Sequence, residues 1–188
     1  MIIRKLFKYE MSHRVYDAYT KRCSENVHGH SYKLELKFVG NEPDNAQMLM
    51  DFGLVKKYFH PFVDSFDHSH MVWSDLKLKK EIDYFSFANE RAIFAPFSST
   101  AEMQAKMFVT FGEIALDELH RMNLINDNLL MYSAIVHETD TGYAEYFWYD
   151  RQSCKFPKVQ LKDIHFSEGI KKEWPVDFKA FYTKILET

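Results

Sequence analysis

His28-Gly29-His30-Ser31-Tyr32-Lys33-Leu34-Glu35-Leu36-Lys37-Phe38-Val39 reads as one amphipathic strand. Tyr32, Leu34, Leu36 and Phe38 alternate with Lys33, Glu35 and Lys37, the period-two pattern of a strand with one face on a core. His28 and His30 share the parity of the apolar set. Residues two apart on a strand point to the same side, so both imidazoles can approach one point. Gly29 between them leaves room for another backbone or a ligand. The stretch GNEPDN, residues 40–45, closes the strand as a turn.

Upstream, residues 2–15 predict a second strand. Ile3, Phe7, Tyr9, Met11, His13 and Val15 form its apolar face, although Lys5 and Leu6 break the alternation. If the two strands pair, His13 brings a third imidazole to the same place. A polar loop, Asp17 to Asn26, joins them. Downstream, Leu54, Val55, Tyr58, Phe59, Phe62, Val63 and Phe66 recur at helical spacing, with Pro61 expected to kink or break the helix. Residues 70–98 have mixed character and read as an insertion with a short helix. A second long helix is expected from Ser99, where Ser99-Thr100-Ala101-Glu102 has capping-box spacing. Met103, Met107, Phe111, Ile114, Leu116 and Leu119 supply its buried stripe. Residues 130–138 and 143–149 predict a hairpin turning at Asp140-Thr141-Gly142. The order β-β-α-α-β-β implies an α+β fold, an antiparallel sheet with two helices on one face. Residues 1–150 form the expected domain. Residues 151–188 are an extension ending in an amphipathic helix whose apolar side would be Val176, Phe178, Phe181, Tyr182, Ile185 and Leu186.

The chain of 188 residues has 46% apolar and 27% charged residues and a net charge of -3, which offers no field for nucleic acid or an anionic membrane. No apolar run reaches the roughly 20 residues of a membrane span, and no signal-peptide pattern opens the sequence. Two cysteines are too few for a disulfide framework. The expectation is a cytoplasmic protein with free thiols.

His13, His28 and His30 with no fourth protein ligand match a catalytic zinc site, where water or substrate takes the open position. Three buried histidines satisfied by ordinary hydrogen bonds would leave the same trace. Cys23 lies beside Lys21 and Arg22, whose charge favours the thiolate; a plain loop cysteine is the alternative. Asp67-His68 is a potential acid–base pair or a solvated helix end, and His70 shares that ambiguity. Glu138 can accept two N–H donors of a heterocycle or simply end a strand. Thr100 can face such a ring or cap the helix. No glycine-rich phosphate loop is present. Arg14, Lys21 and Arg22 are candidate contacts for a polyphosphate, with solvated surface charge as the alternative.

These pieces together resemble the 6-pyruvoyl-tetrahydropterin synthase / 6-carboxytetrahydropterin synthase family. The resemblance rests on Phe7 through Arg14 (FKYEMSHR), Cys23-x4-His28-Gly29-His30-Ser31-Tyr32, Met50-Asp51-Phe52, Phe66-Asp67-His68, Thr100-Ala101-Glu102 and Val136-His137-Glu138-Thr139, in that order. It implies Zn2+ on His13, His28 and His30, and Cys23 as the proton-handling thiol assisted by Asp67 and His68. It implies Glu138 anchoring a pterin ring, with Thr100 lining the pocket. The implied fold is the tunnelling fold (T-fold), a homo-oligomeric barrel of a trimer or two stacked trimers with active sites between subunits. The implied reaction converts 7,8-dihydroneopterin triphosphate to 6-carboxy-5,6,7,8-tetrahydropterin, acetaldehyde and triphosphate, feeding queuosine synthesis. A pyruvoyl-forming enzyme and a non-catalytic zinc- and pterin-binding protein are the alternatives. Four residues separate Cys23 from His28, a spacing between those of carboxy-forming and pyruvoyl-forming members. Thr100-Ala101-Glu102 lacks the family's usual second hydroxyl.

Overall fold

The computed structural model describes residues 1–74 and 90–187. β1 (Ile2–His13) and β2 (His28–Val39) form a long antiparallel pair in which Ile2 faces Val39 and His13 faces His28. The short α1 (Lys21–Ser24) lies in the loop between them. The helical region that follows is α2 (Phe52–Tyr58) and α3 (His60–Asp64). The break falls at Phe59, and Pro61 sits in the first turn of α3, where its missing N–H costs nothing. Asp51 caps α2 by accepting from the Gly53 N–H at 2.7 Å. After β3 (Ser69–Trp73) and β4 (Ala92–Ala95) comes α4 (Ala101–Arg121). Then follow β5 (Leu130–His137), β6 (Tyr143–Phe147), β7 (His165–Phe166), α5 (Glu168–Glu173) and α6 (Val176–Leu186).

The expected core order holds, and the sheet is larger than expected. Among the described residues its seven strands run β6-β5-β2-β1-β3-β4-β7. β6, β5, β2 and β1 are antiparallel neighbours, as expected, and β7 lies antiparallel to β4. β3 lies parallel to β1, and β4 parallel to β3. Within 70–98, therefore, the described ends are sheet strands; the short helix expected there falls outside the described residues. β7 and α6 come from the C-terminal segment, and Phe166, Phe178 and Tyr182 join the same apolar cluster as the main helices.

The helices cover the face carrying Phe7, Tyr9, Met11, Leu34, Leu36 and Phe38, all buried. Alternation survives the Lys5-Leu6 irregularity. Leu6 is exposed, and the Lys5 ammonium lies 5.5 Å from the Phe52 ring centre, so its stem stays on the inner side. The opposite face is charged, with Arg4–Glu35 at 2.9 Å, Lys33–Asp140 at 2.7 Å and Lys37–Glu145 at 3.0 Å.

Three local expectations are corrected. The cap of α4 is Thr100, whose Oγ1 accepts from the Met103 N–H; Ser99 precedes it, so Glu102 does not stand at capping-box spacing. β6 ends at Phe147, and residues 148–152 turn as a 3-10 helix. Val176 and Leu186, at the two ends of α6, are exposed, whereas Phe178, Phe181, Tyr182 and Ile185 are buried.

Candidate metal centre

The β1–β2 register decides the site. Pairing of His13 with His28 and of Met11 with His30 stacks three imidazoles on the core side at the end of the strand pair. One ring nitrogen from each lies within 4.8 Å of the others. His13 is completely buried, while His28 and His30 are partly exposed.

Hydrogen bonds settle the tautomers. Nδ1 of His13 donates to the Ser99 carbonyl at 3.0 Å, and Nδ1 of His28 donates to the Asn26 carbonyl at 3.1 Å. A carbonyl only accepts, so in each neutral ring the proton is on Nδ1 and Nε2 carries a lone pair. Those two Nε2 atoms face each other at 3.1 Å. Nε2 of His30 is buried with no hydrogen-bond partner among the described residues. Lone pairs pointed together, beside an orphaned third nitrogen, are costly unless a cation lies between them. Tetrahedral zinc with Zn–N near 2.0–2.1 Å would place such nitrogens about 3.3 Å apart, close to the separation seen for His13 and His28. The donor set thus fits a zinc ion.

Electrostatics point the same way. Burial pushes the His13 imidazole down to about 4; the Ser99 bond resists this and the neighbouring His28 and His30 reinforce it. Burial also lowers His30, against the pull of Glu138. His13 and His30 are thus held neutral, the form that ligates. Glu138, just past β5, brings Oε1 to 3.7 Å from His13 Nε2 and 3.8 Å from His30 Nε2. Tyr32 donates to the same carboxylate at 3.4 Å. Burial first, then Glu138, raises the Tyr32 phenol, so it stays a donor.

Gln104, Tyr9 and Ser99 support His13 and were not among the sequence candidates. Gln104 is fully buried; its Nε2 donates to the Ser99 carbonyl at 2.8 Å and its Oε1 accepts from Tyr9 at 2.7 Å. One carbonyl therefore orients His13 while being oriented by Gln104. The available signal was an amide on the apolar stripe of a helix, between Met103 and Met107.

The other candidates are distributed around this centre. Cys23 is half-buried in α1, and its carbonyl accepts from the Val15 N–H at 3.0 Å, which ties it to the chain two residues beyond His13. Arg14 donates to the Ser24 carbonyl at 2.7 Å and so helps hold this loop. Lys21 pairs with Glu25 at 3.8 Å on the surface. Asp67 and His68 follow α3. Nδ1 of His68 lies 2.8 Å from Asp67 Oδ2, and Asp67 Oδ1 accepts from the Glu10 N–H at 2.7 Å. Partial burial opposes ionisation of Asp67, but the Glu10 bond, His68 and Arg91 together hold its carboxyl below the usual range. His68 has a φ of 50°, left-handed backbone, and is largely exposed. It lines a cavity of about 400 Å³ with Ser12, His30, His70 and Arg91. Thus His68 and His30 border one space, while Cys23, Glu138 and Thr100 do not line it. His70 is buried with Nδ1 2.8 Å from Ser12 Oγ, on the sheet face opposite His13.

An α+β sheet whose central strand pair ends in a three-histidine donor set defines a T-fold protein with a candidate catalytic metal centre. The chain belongs to the 6-pyruvoyl tetrahydropterin synthase family, whose model matches residues 2–148. It is 34% identical to the 6-carboxy-5,6,7,8-tetrahydropterin synthase of Helicobacter pylori strain J99, over 99% of this chain and 92% of that protein. The Aquifex aeolicus protein of the same name is 29% identical over 77% of this chain and 96% of its own. Among solved structures, an uncharacterized protein from Wolinella succinogenes superposes with a TM-score of 0.63, at 17% identity, covering 79% of this chain and 98% of that one. The Caenorhabditis elegans 6-pyruvoyl tetrahydropterin synthase gives 0.52 at 20% identity, with 78% and 94% covered. These structural likenesses establish the fold. No helix among the described residues is long and apolar enough to cross a membrane.

Proposed function

We propose that this chain is a zinc-dependent 6-carboxy-5,6,7,8-tetrahydropterin synthase, a lyase acting on 7,8-dihydroneopterin triphosphate and releasing acetaldehyde and triphosphate. The observation that carries the reading is the inward-facing His13–His28 nitrogen pair beside the Nε2 of His30, which has no hydrogen-bond partner among the described residues. Likeness over nearly the whole chain to a protein of that name supports the choice of product.

Zinc held by His13, His28 and His30 would act as a Lewis acid on side-chain oxygens of the substrate. Glu138 anchors the pterin by accepting its ring N–H donors, and Tyr32 aims that carboxylate. Thr100, which caps α4, would border the pterin ring. Cys23 removes a side-chain proton. The Asp67–His68 pair relays a proton: Asp67 is held ionised by the Glu10 N–H and orients the His68 ring through Nδ1, leaving Nε2 for transfer. Both cysteines are free, which suits a reducing, cytoplasmic compartment. Oligomerisation as a trimer or stacked trimers would cover β6, an edge strand in this chain whose Tyr143 is 62% exposed.

The test is incubation of the purified protein with the triphosphate substrate and mass spectrometry of the products. Acetaldehyde with 6-carboxytetrahydropterin is expected. A pyruvoyl product without acetaldehyde would replace this reaction with the sister one on the same site. No turnover, with zinc and pterin still bound, would make the protein a binder. His28→Ala and His30→Ala should each lose the metal.

A further inference from the structure

Arg91 stands immediately before β4, and its guanidinium serves three acceptors. Nε donates to the Asp67 carbonyl at 3.0 Å, one Nη donates to the Asp64 carbonyl at 3.0 Å, and the other pairs with the Glu173 carboxylate. The two carbonyls bracket the turn that presents Asp67 and His68. That turn gains from an external hold, because His68 adopts left-handed backbone, which is uncommon for a residue with a Cβ.

Glu173 belongs to the C-terminal segment, which grips the same region at further points. Trp174 Nε1 donates to Ser65 Oγ at 2.8 Å, two residues before Asp67. Ser167 Oγ donates to the Glu90 carbonyl at 2.5 Å and accepts from the Ala92 N–H at 3.1 Å, so it straddles Arg91. Gly169 packs so closely that a Cβ there would stand 2.0 Å from the Glu90 carbonyl oxygen.

We infer that Arg91, braced by Glu173, is a positioning residue for the Asp67–His68 pair, and that residues 167–174 are thereby part of the catalytic apparatus. The inference rests on the acid–base role proposed above for that pair. The direction of the Asp67 carboxylate follows from its backbone, and Arg91 holds that backbone by its carbonyl. Lysine cannot substitute, since a single ammonium lacks the planar fork that reaches three separated acceptors.

The test uses the whole 188-residue chain, zinc-loaded, with Arg91→Lys and Glu173→Gln. Arg91→Lys should lower kcat by about 10- to 100-fold with KM held within about twofold, the mark of lost alignment and not lost ground-state binding. Exchange of the Glu10 amide, which Asp67 protects, should accelerate by NMR while that of other β1 amides stays unchanged. Glu173→Gln should move both readouts the same way by less. Glu173 is 58% exposed, so this variant folds and carries the test should Arg91→Lys fail to. Unaltered Glu10 exchange in both variants overturns the inference. So does a raised KM with unchanged kcat, which would make Arg91 a substrate contact. A wild type without turnover would defeat the acid–base reading of the pair, and the Glu10 exchange would still decide whether Arg91 positions Asp67.

Discussion

Replacing Gln104 with leucine isolates the support behind the candidate metal centre. The side chain is fully buried and makes two short bonds, to Tyr9 and to the Ser99 carbonyl. Leucine fills similar space, so the cost is polar. The Tyr9 hydroxyl, on a residue only 1% exposed, loses its partner; an unsatisfied buried hydroxyl costs about 1–3 kcal/mol. The Ser99 carbonyl loses one of two donors, worth roughly 1 kcal/mol. Together they amount to about 2–4 kcal/mol, or a fall in Tm of roughly 5–15 °C for a chain of this size. The second consequence is specific. With Ser99 no longer anchored, His13 loses its fixed orientation, and zinc affinity should fall about 10- to 100-fold, the usual effect of removing such outer support. Tyr9→Phe is the control: it destabilises by about 1–2 kcal/mol but leaves the Gln104–Ser99–His13 chain intact, so zinc affinity should hold. Thermal unfolding of metal-free protein and competition for zinc with a chromophoric chelator measure the two effects. A folded Gln104→Leu protein with wild-type zinc affinity would refute the reasoning, as would Tyr9→Phe weakening zinc equally.

Metal-free protein should lose stability as pH falls from about 6.5 toward 4. His13 and His70 are each lowered to about 4 by burial, so the unfolded chain binds their protons first. Stability is complete above the unfolded value and drains away on acidification, by roughly 3 kcal/mol per imidazole; denaturant midpoints rising below pH 6 would contradict it. Cys23→Ala should abolish turnover while zinc content stays at one per chain, read by product assay and metal analysis on one preparation; residual activity above a few per cent of wild type counts against a base role for the thiol. Gly169→Ala should destabilise by about 1–3 kcal/mol despite alanine's better helix propensity, because the clash is with backbone and not with a flexible side chain. A Tm at or above that of wild type would mean the segment yields easily.

Much of this was legible in residue order because the signals are local. Alternation at Tyr32–Phe38 placed β2, and its parity carried His28 and His30 to the inner face. Apolar recurrence located both helical regions, and Pro61 marked the break. Reading failed where contact partners are distant in sequence. Gln104 looks anomalous on its helix but acquires a role only once Tyr9 and Ser99 meet it. Thr100 and Ser99 are adjacent hydroxyl residues, and only backbone geometry chose between them as cap. Arg91 has no local signature, because its acceptors lie in a turn 24 residues back and in a helix 82 residues ahead.

Sequence alone determined the strand faces, the helical stripes and the identity of three imidazoles, because period and parity are properties of a few successive residues. Tertiary structure decided the register that opposes His13 to His28, the parallel addition of β3 and β4, and the seating of the C-terminal segment behind Asp67. Those depend on long-range pairing and on which buried polar groups find partners, which no window along the chain contains.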